Sequence, residues 1–127
     1  MHIFTVTRIS FLASFLLLLS CNSSPYEKDD LLGKWTVVNW EIEKTGQKRT
    51  NQMDMSYNAD NSYVVDYGSE KELGEFWIAN SYLHTKAENE AEKKVKIIKL
   101  NIDTLSIQMN RGGILENVLL VKEASNE

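Results

Sequence analysis

Between Leu31 and Lys122 apolar residues recur at every second position, in short runs separated by turn formers. Met53, Met55 and Tyr57 alternate with Asp54, Ser56 and Asn58. Tyr63, Val65 and Tyr67 share one face, and Leu105, Ile107 and Met109 alternate with Ser106, Gln108 and Asn110. A period of two sends successive side chains to opposite faces of a strand; a helix repeats every ~3.6 residues instead. The remaining apolar runs are Trp35 to Glu43, Phe76 to Thr85, Val95 to Ile102 and Ile114 to Val121. They are rich in β-branched and aromatic residues, which suit a pleated, half-buried surface. Within Phe76 to Thr85, strict alternation puts Phe76, Ile78 and Tyr82 on one face and Trp77, Ala79 and Leu83 on the other. Ala59-Asp60-Asn61-Ser62, Gly68 to Leu73 and Arg111-Gly112-Gly113 are turn signals. Evenly spaced short strands of this kind predict an all-β sandwich or barrel. Lys86 to Lys94 has high helix propensity but no apolar stripe to dock it, and reads as a solvated hairpin loop.

The first twenty residues follow a different rule. Arg8 is the only charged residue among them, and Ile9 to Leu19 form an apolar run broken only by Ser10 and Ser14. A charged start followed by an apolar stretch of this length is the pattern of a cleavable signal peptide. A membrane-spanning helix needs about 20 apolar residues, more than this run supplies. Cys21, directly after the run, is the only cysteine of the 127-residue chain, so no internal disulfide is available to it. Asn22 to Asp30 has no apolar period and holds Pro25, the only proline. It reads as a solvated, disordered tether. The predicted organisation is therefore a signal peptide over 1–20, a tether over 21–30 and one β domain over 31–124.

Leu18-Leu19-Ser20-Cys21 resembles a lipobox. The resemblance implies a diacylglyceryl thioether on Cys21, cleavage after Ser20, and a lipid-anchored place in the cell envelope, at the outer membrane. Two acyl chains hold a protein durably where one holds it only marginally. Three further features are similar to the lipocalin-like domain of Bacteroidetes lipoproteins. Leu31-Leu32-Gly33-Lys34-Trp35 opens the domain with Gly-x-Trp. Gly74-Glu75-Phe76-Trp77 starts a strand in mid-domain. Ile97-Ile98-Lys99-Leu100 leads through Asp103-Thr104 into the Leu105-Ser106-Ile107 strand. This resemblance implies a small eight-stranded up-and-down antiparallel barrel. Where such proteins usually carry an Arg over the first-strand Trp, this chain offers Lys122.

Little in the domain points to reaction chemistry. The formal net charge is −4, and the basic footprint of a nucleic-acid binder is missing. After residue 20 the only histidine is His84, too few for an ordinary zinc site; it reads as a surface sheet residue. No nucleophile motif and no phosphate-cradling glycine loop is present. The expectation is a non-enzymatic protein with no cofactor or metal, whose partners are a membrane and a small hydrophobic ligand. The alternating faces make Met53, Met55, Tyr57, Tyr63, Val65, Tyr67, Phe76, Ile78, Tyr82, Leu105, Ile107 and Met109 the candidate lining of the barrel. They would form an apolar sleeve with a few phenol hydroxyls and no buried charge. An eight-stranded barrel is just wide enough to hold one small ligand or to be filled by its own side chains. The alternative is thus a packed envelope-interaction or structural module with no ligand.

Overall fold

The structure, a computed structural model, describes residues 24–124. The signal peptide expected over 1–20 and the lipidation expected at Cys21 fall outside the described residues. Eight antiparallel strands follow one another around a closed barrel: β1 (Gly33–Ile42), β2 (Asp54–Tyr57), β3 (Ser62–Asp66), β4 (Lys71–Ala79), β5 (Tyr82–Ala87), β6 (Lys93–Leu100), β7 (Thr104–Arg111) and β8 (Ile114–Lys122). β8 pairs back onto β1 from Trp35↔Lys122 to Ile42↔Glu116. The up-and-down barrel expected from the sequence is the fold observed. Closure leaves no strand edge unpaired.

Turn chemistry sets the register. Gly112 and Gly113 both have positive φ (64° and 90°) and join the pair Arg111↔Ile114 in a two-residue hairpin. The Phe76–Thr85 run is corrected: it is two strands, not one. Asn80 adopts φ 55° and, with Ser81, turns the chain so that Ala79 pairs with Tyr82. Residues paired across a hairpin share a face, so Tyr82 joins Ala79 and Trp77 outside. Leu83, opposite Ile78, points in and is buried. Phe76 and Ile78 keep the inward face. The solvated loop expected over 86–94 is shorter. β5 runs on to a buried Ala87, the turn occupies 88–92, and β6 starts at Lys93. β4 likewise begins at Lys71, inside the segment read as a turn.

Register shifts interrupt β1 between Val37 and Asn39 and β6 between Ile97 and Lys99. The extra residues, Val38 and Ile98, are exposed. Each bulge resets the alternation, so Trp35 and Trp40 both point inward, as do Ile97 and Leu100. Gly74 permits the close approach of β4 and β5. A Cβ there would lie 2.1 Å from the Lys86 carbonyl oxygen and 2.7 Å from Ala87 Cα.

One end of the barrel is sealed. The short helix α1 (Lys28–Leu31) lies across it and buries Leu31 against Trp35. Trp35 Nε1 donates to the Leu31 carbonyl at 2.8 Å. Lys122 Nζ stands 5.0 Å from the centroid of the Trp35 ring and donates to the Asp30 carbonyl at 3.0 Å. Lys122 thus covers Trp35 in the place where the resemblance implied an Arg. Residues 24–30 correct the expectation of a disordered tether, since they are docked on this same end. Ser24 Oγ donates to the Asn80 carbonyl, Tyr26 Oη to the Ile98 carbonyl at 3.1 Å, and Lys28 Nζ to the Ala59 carbonyl at 2.8 Å. Two apolar anchors, Tyr26 and Leu31, suffice to pack a polar segment onto the core. Its polar side chains then satisfy carbonyls of two turns, at Ala59 and Asn80, and of the β6 bulge at Ile98.

Candidate functional site

The four strand connections of the opposite end, the hairpins 67–70, 88–92 and 112–113 and the longer 43–53 segment, surround an open mouth. Beneath it the interior divides into a filled lower part and a shallow recess. In the lower part Tyr63, Phe76, Leu105 and Ile107 are at most 1% exposed, as are Leu83, Ile97, Val118 and Leu120. These side chains fill that part of the interior. Tyr57 stacks against Tyr63 (ring centroids 6.3 Å apart) and meets the edge of Phe76 at 5.0 Å. Its hydroxyl donates to Met55 Sδ at 3.3 Å. Met55, Tyr57 and Val65 belong to the same core, and the half-buried Ile78 packs against it.

The recess has a volume of about 530 Å³ and is lined by Trp40, Met53, Tyr67, Val95, Met109 and Arg111, with Asn51, Asn110, Lys93 and Lys94 beside them. Of the twelve lining residues read from the sequence, Met53, Tyr67 and Met109 meet here. Met55, Tyr57, Tyr63, Val65, Phe76, Ile78, Leu105 and Ile107 pack below. Tyr82 stands outside the barrel, where Lys94 Nζ lies 4.7 Å from its ring centroid. His84 is also outside, stacked on Trp77 and hydrogen-bonded through Nδ1 with Glu92 at 2.8 Å. Among the described residues no three His, Cys, Asp or Glu side chains converge as a metal site.

Two carboxylates inside the mouth correct the expectation of a charge-free interior. Glu116 on β8 is 0% exposed. Its Oε1 accepts hydrogen bonds from Trp40 Nε1 at 3.1 Å and from Arg49 Nε. Its Oε2 has no hydrogen-bond partner; Arg111 Nη1 stands off at 3.5 Å. Glu72 on β4 accepts from Tyr63 Oη at 2.7 Å and from Lys93 Nζ at 2.8 Å. Burial alone would raise the Glu72 pKa, but these two hydrogen bonds outweigh it and hold the carboxyl below its ordinary value. The Lys93 ammonium is held above its ordinary value, first by the hydrogen bond to Glu72. Burial pushes the phenols of Tyr57 and Tyr63 up, and for Tyr63 the hydrogen bond to Glu72 adds to it. Tyr67 is raised in the same direction, by burial and then by the Glu72 charge. A signal for Glu116 was available in the sequence: it shares the period-two face of Val118 and Leu120.

The chain matches no protein-family model and no curated protein sequence. Solved structures are similar to it in shape. A lipocalin-like protein from Bacteroides uniformis aligns with a TM-score of 0.58 at 14% identity, over 74% of this chain and 99% of that one. An uncharacterized protein from Bacteroides eggerthii aligns with a TM-score of 0.56 at 13% identity, over 72% of this chain and 98% of that one. The barrel has a lipocalin-like fold. At this identity the likeness establishes the fold alone, and function has to be argued from the site.

Proposed function

We propose that the protein is a membrane-anchored lipocalin-like lipoprotein that binds one small amphipathic ligand in the recess at the barrel mouth. The observation that carries this reading is an open recess of about 530 Å³ whose lining combines the apolar Trp40, Met53, Val95 and Met109 with the cationic Lys93, Lys94 and Arg111. That volume falls within the roughly 300–1,000 Å³ of small-molecule sites. Asn51, Asn110 and the cationic side chains of Lys93, Lys94 and Arg111 offer polar partners that orient a ligand head group. The apolar body of the ligand then lies against Met53, Val95, Met109 and the Trp40 ring. Burial of that body at about 25 cal/mol per Å² supplies most of the affinity. The filled lower barrel favours the second reading, an envelope-interaction module without a ligand.

Titration with a dansyl-labelled fatty amide separates the two. The first reading expects one-to-one binding, weakened at least about tenfold, or about 1.4 kcal/mol, in Met109→Trp, whose larger side chain fills the recess. No binding by the folded protein supports the second. The anchor rests on Leu18 to Cys21. Cys21→Ser is expected to move the protein from the membrane to the soluble envelope fraction; a variant that stays with membranes and keeps residues 1–20 contradicts it.

A further inference from the structure

We infer that the sealed end of the barrel is the face laid on the membrane, so that the mouth recess opens away from the bilayer. This rests on the lipid anchor at Cys21 proposed above. The attachment point is fixed by the fold. Ser24, Tyr26 and Lys28 hydrogen-bond to the carbonyls of Asn80, Ile98 and Ala59, and α1 continues across the same end. Cys21 lies only three residues before Ser24. At no more than ~3.6 Å per residue, that stretch reaches about 11 Å. Strands of the length of β4 and β8, tilted as barrel strands are, raise the mouth on the order of 20 Å or more above the sealed end. The leash is therefore too short to let the barrel turn over and place its mouth at the lipid surface.

The sealed end also carries an apolar tip suited to that surface. Ile102, in the β6–β7 turn, is 77% exposed, the highest value among the exposed large hydrophobic residues described. Asn101 builds the turn, its Oδ1 accepting from the backbone N–H groups of Asp103 and Thr104. This leaves Ile102 at the apex, a position that turn chemistry ordinarily gives to a polar residue. Exposed Ile98 lies beside the docked Tyr26, whose hydroxyl it receives. An isoleucine at the apex of the tethered end sits at the boundary between headgroups and acyl chains, where apolar side chains are favoured. Ligand then exchanges between the recess and the aqueous compartment, not sideways out of the bilayer.

The test uses the full chain, expressed with its leader and reconstituted in vesicles of phosphatidylethanolamine and phosphatidylglycerol doped with a headgroup spin-labelled lipid. Cys21 is the only native cysteine. Lipidation consumes its thiol, so a thiol-reactive fluorophore reports a single engineered site. Ile102→Cys marks the sealed end and Ile114→Cys, also exposed, marks the mouth. Fluorescence at position 102 is expected to be quenched several-fold more than at position 114. Equal quenching, or stronger quenching at 114, in a chain whose intact mass carries the acyl groups overturns the orientation and leaves the anchor standing. An intact mass without acyl groups overturns the anchor and the orientation together.

Discussion

Replacing Trp35 by Ala removes the bulkiest of the fully buried side chains from the sealed end. Three interactions disappear together: the packing of the indole on Leu31 and the core, the hydrogen bond from Nε1 to the Leu31 carbonyl, and the contact with Lys122. Truncation of a buried Trp to Ala typically costs about 3–5 kcal/mol through lost burial and the cavity left behind. A buried carbonyl deprived of its donor adds about 1–3 kcal/mol where water cannot replace it. A domain possesses roughly 5–15 kcal/mol in all. In domains of this size each kcal/mol moves Tm by about 4–8 °C. Thermal unfolding followed by circular dichroism should therefore show Trp35→Ala melting about 20 °C or more below wild type, or failing to fold. Trp35→Phe keeps most of the apolar contact and loses the indole N–H, so its loss is expected to be roughly half or less of that. A Trp35→Ala protein that melts within a few degrees of wild type would falsify the account of how α1 and β1 seal the barrel.

Gly74→Ala sets a methyl group against the backbone of Lys86 and Ala87; because backbone cannot rotate away, the β4–β5 pairing should be lost. Amide exchange protection across β5 reads this directly, and a protected β5 in the variant contradicts it. The mouth network gives a pH dependence of stability. Glu72, held below its ordinary pKa, stabilises the fold above that ordinary value, and the contribution fades as pH falls through the folded value. Lys93 and the phenols of Tyr57 and Tyr63, all raised, contribute fully below their ordinary values and lose the contribution as pH rises through the folded ones. Glu72→Gln should therefore flatten the acid limb of a plot of Tm against pH, and an unchanged acid limb would show that Glu72 carries none of it.

Much of the barrel is legible in period-two alternation because most strands bury one face. Met53 to Tyr57, Tyr63 to Val65 and Leu105 to Met109 fall where that rule puts them. The rule fails where a single residue changes the phase. Asn80 turns the chain inside an unbroken apolar run, which carries Tyr82 outside and Leu83 inside. Val38 and Ile98 bulge out of strands whose composition gives no sign of it. At residues 24–30 composition misleads for another reason, since Tyr26 and Leu31 dock a stretch in which most side chains are polar. The recess was half visible. Met53, Tyr67 and Met109 follow from alternation, but Arg49 lies in an irregular connection, and it and Trp40 reach Glu116 only because β8 closes back onto β1.

Native mass spectrometry of the protein purified from its host cells, wild type beside Met109→Trp, puts the ligand reading to the most direct test. The account predicts one small molecule per wild-type chain and a bare barrel in the variant, with both proteins melting alike. A wild-type barrel that is itself bare, or a ligand retained equally by Met109→Trp, contradicts it.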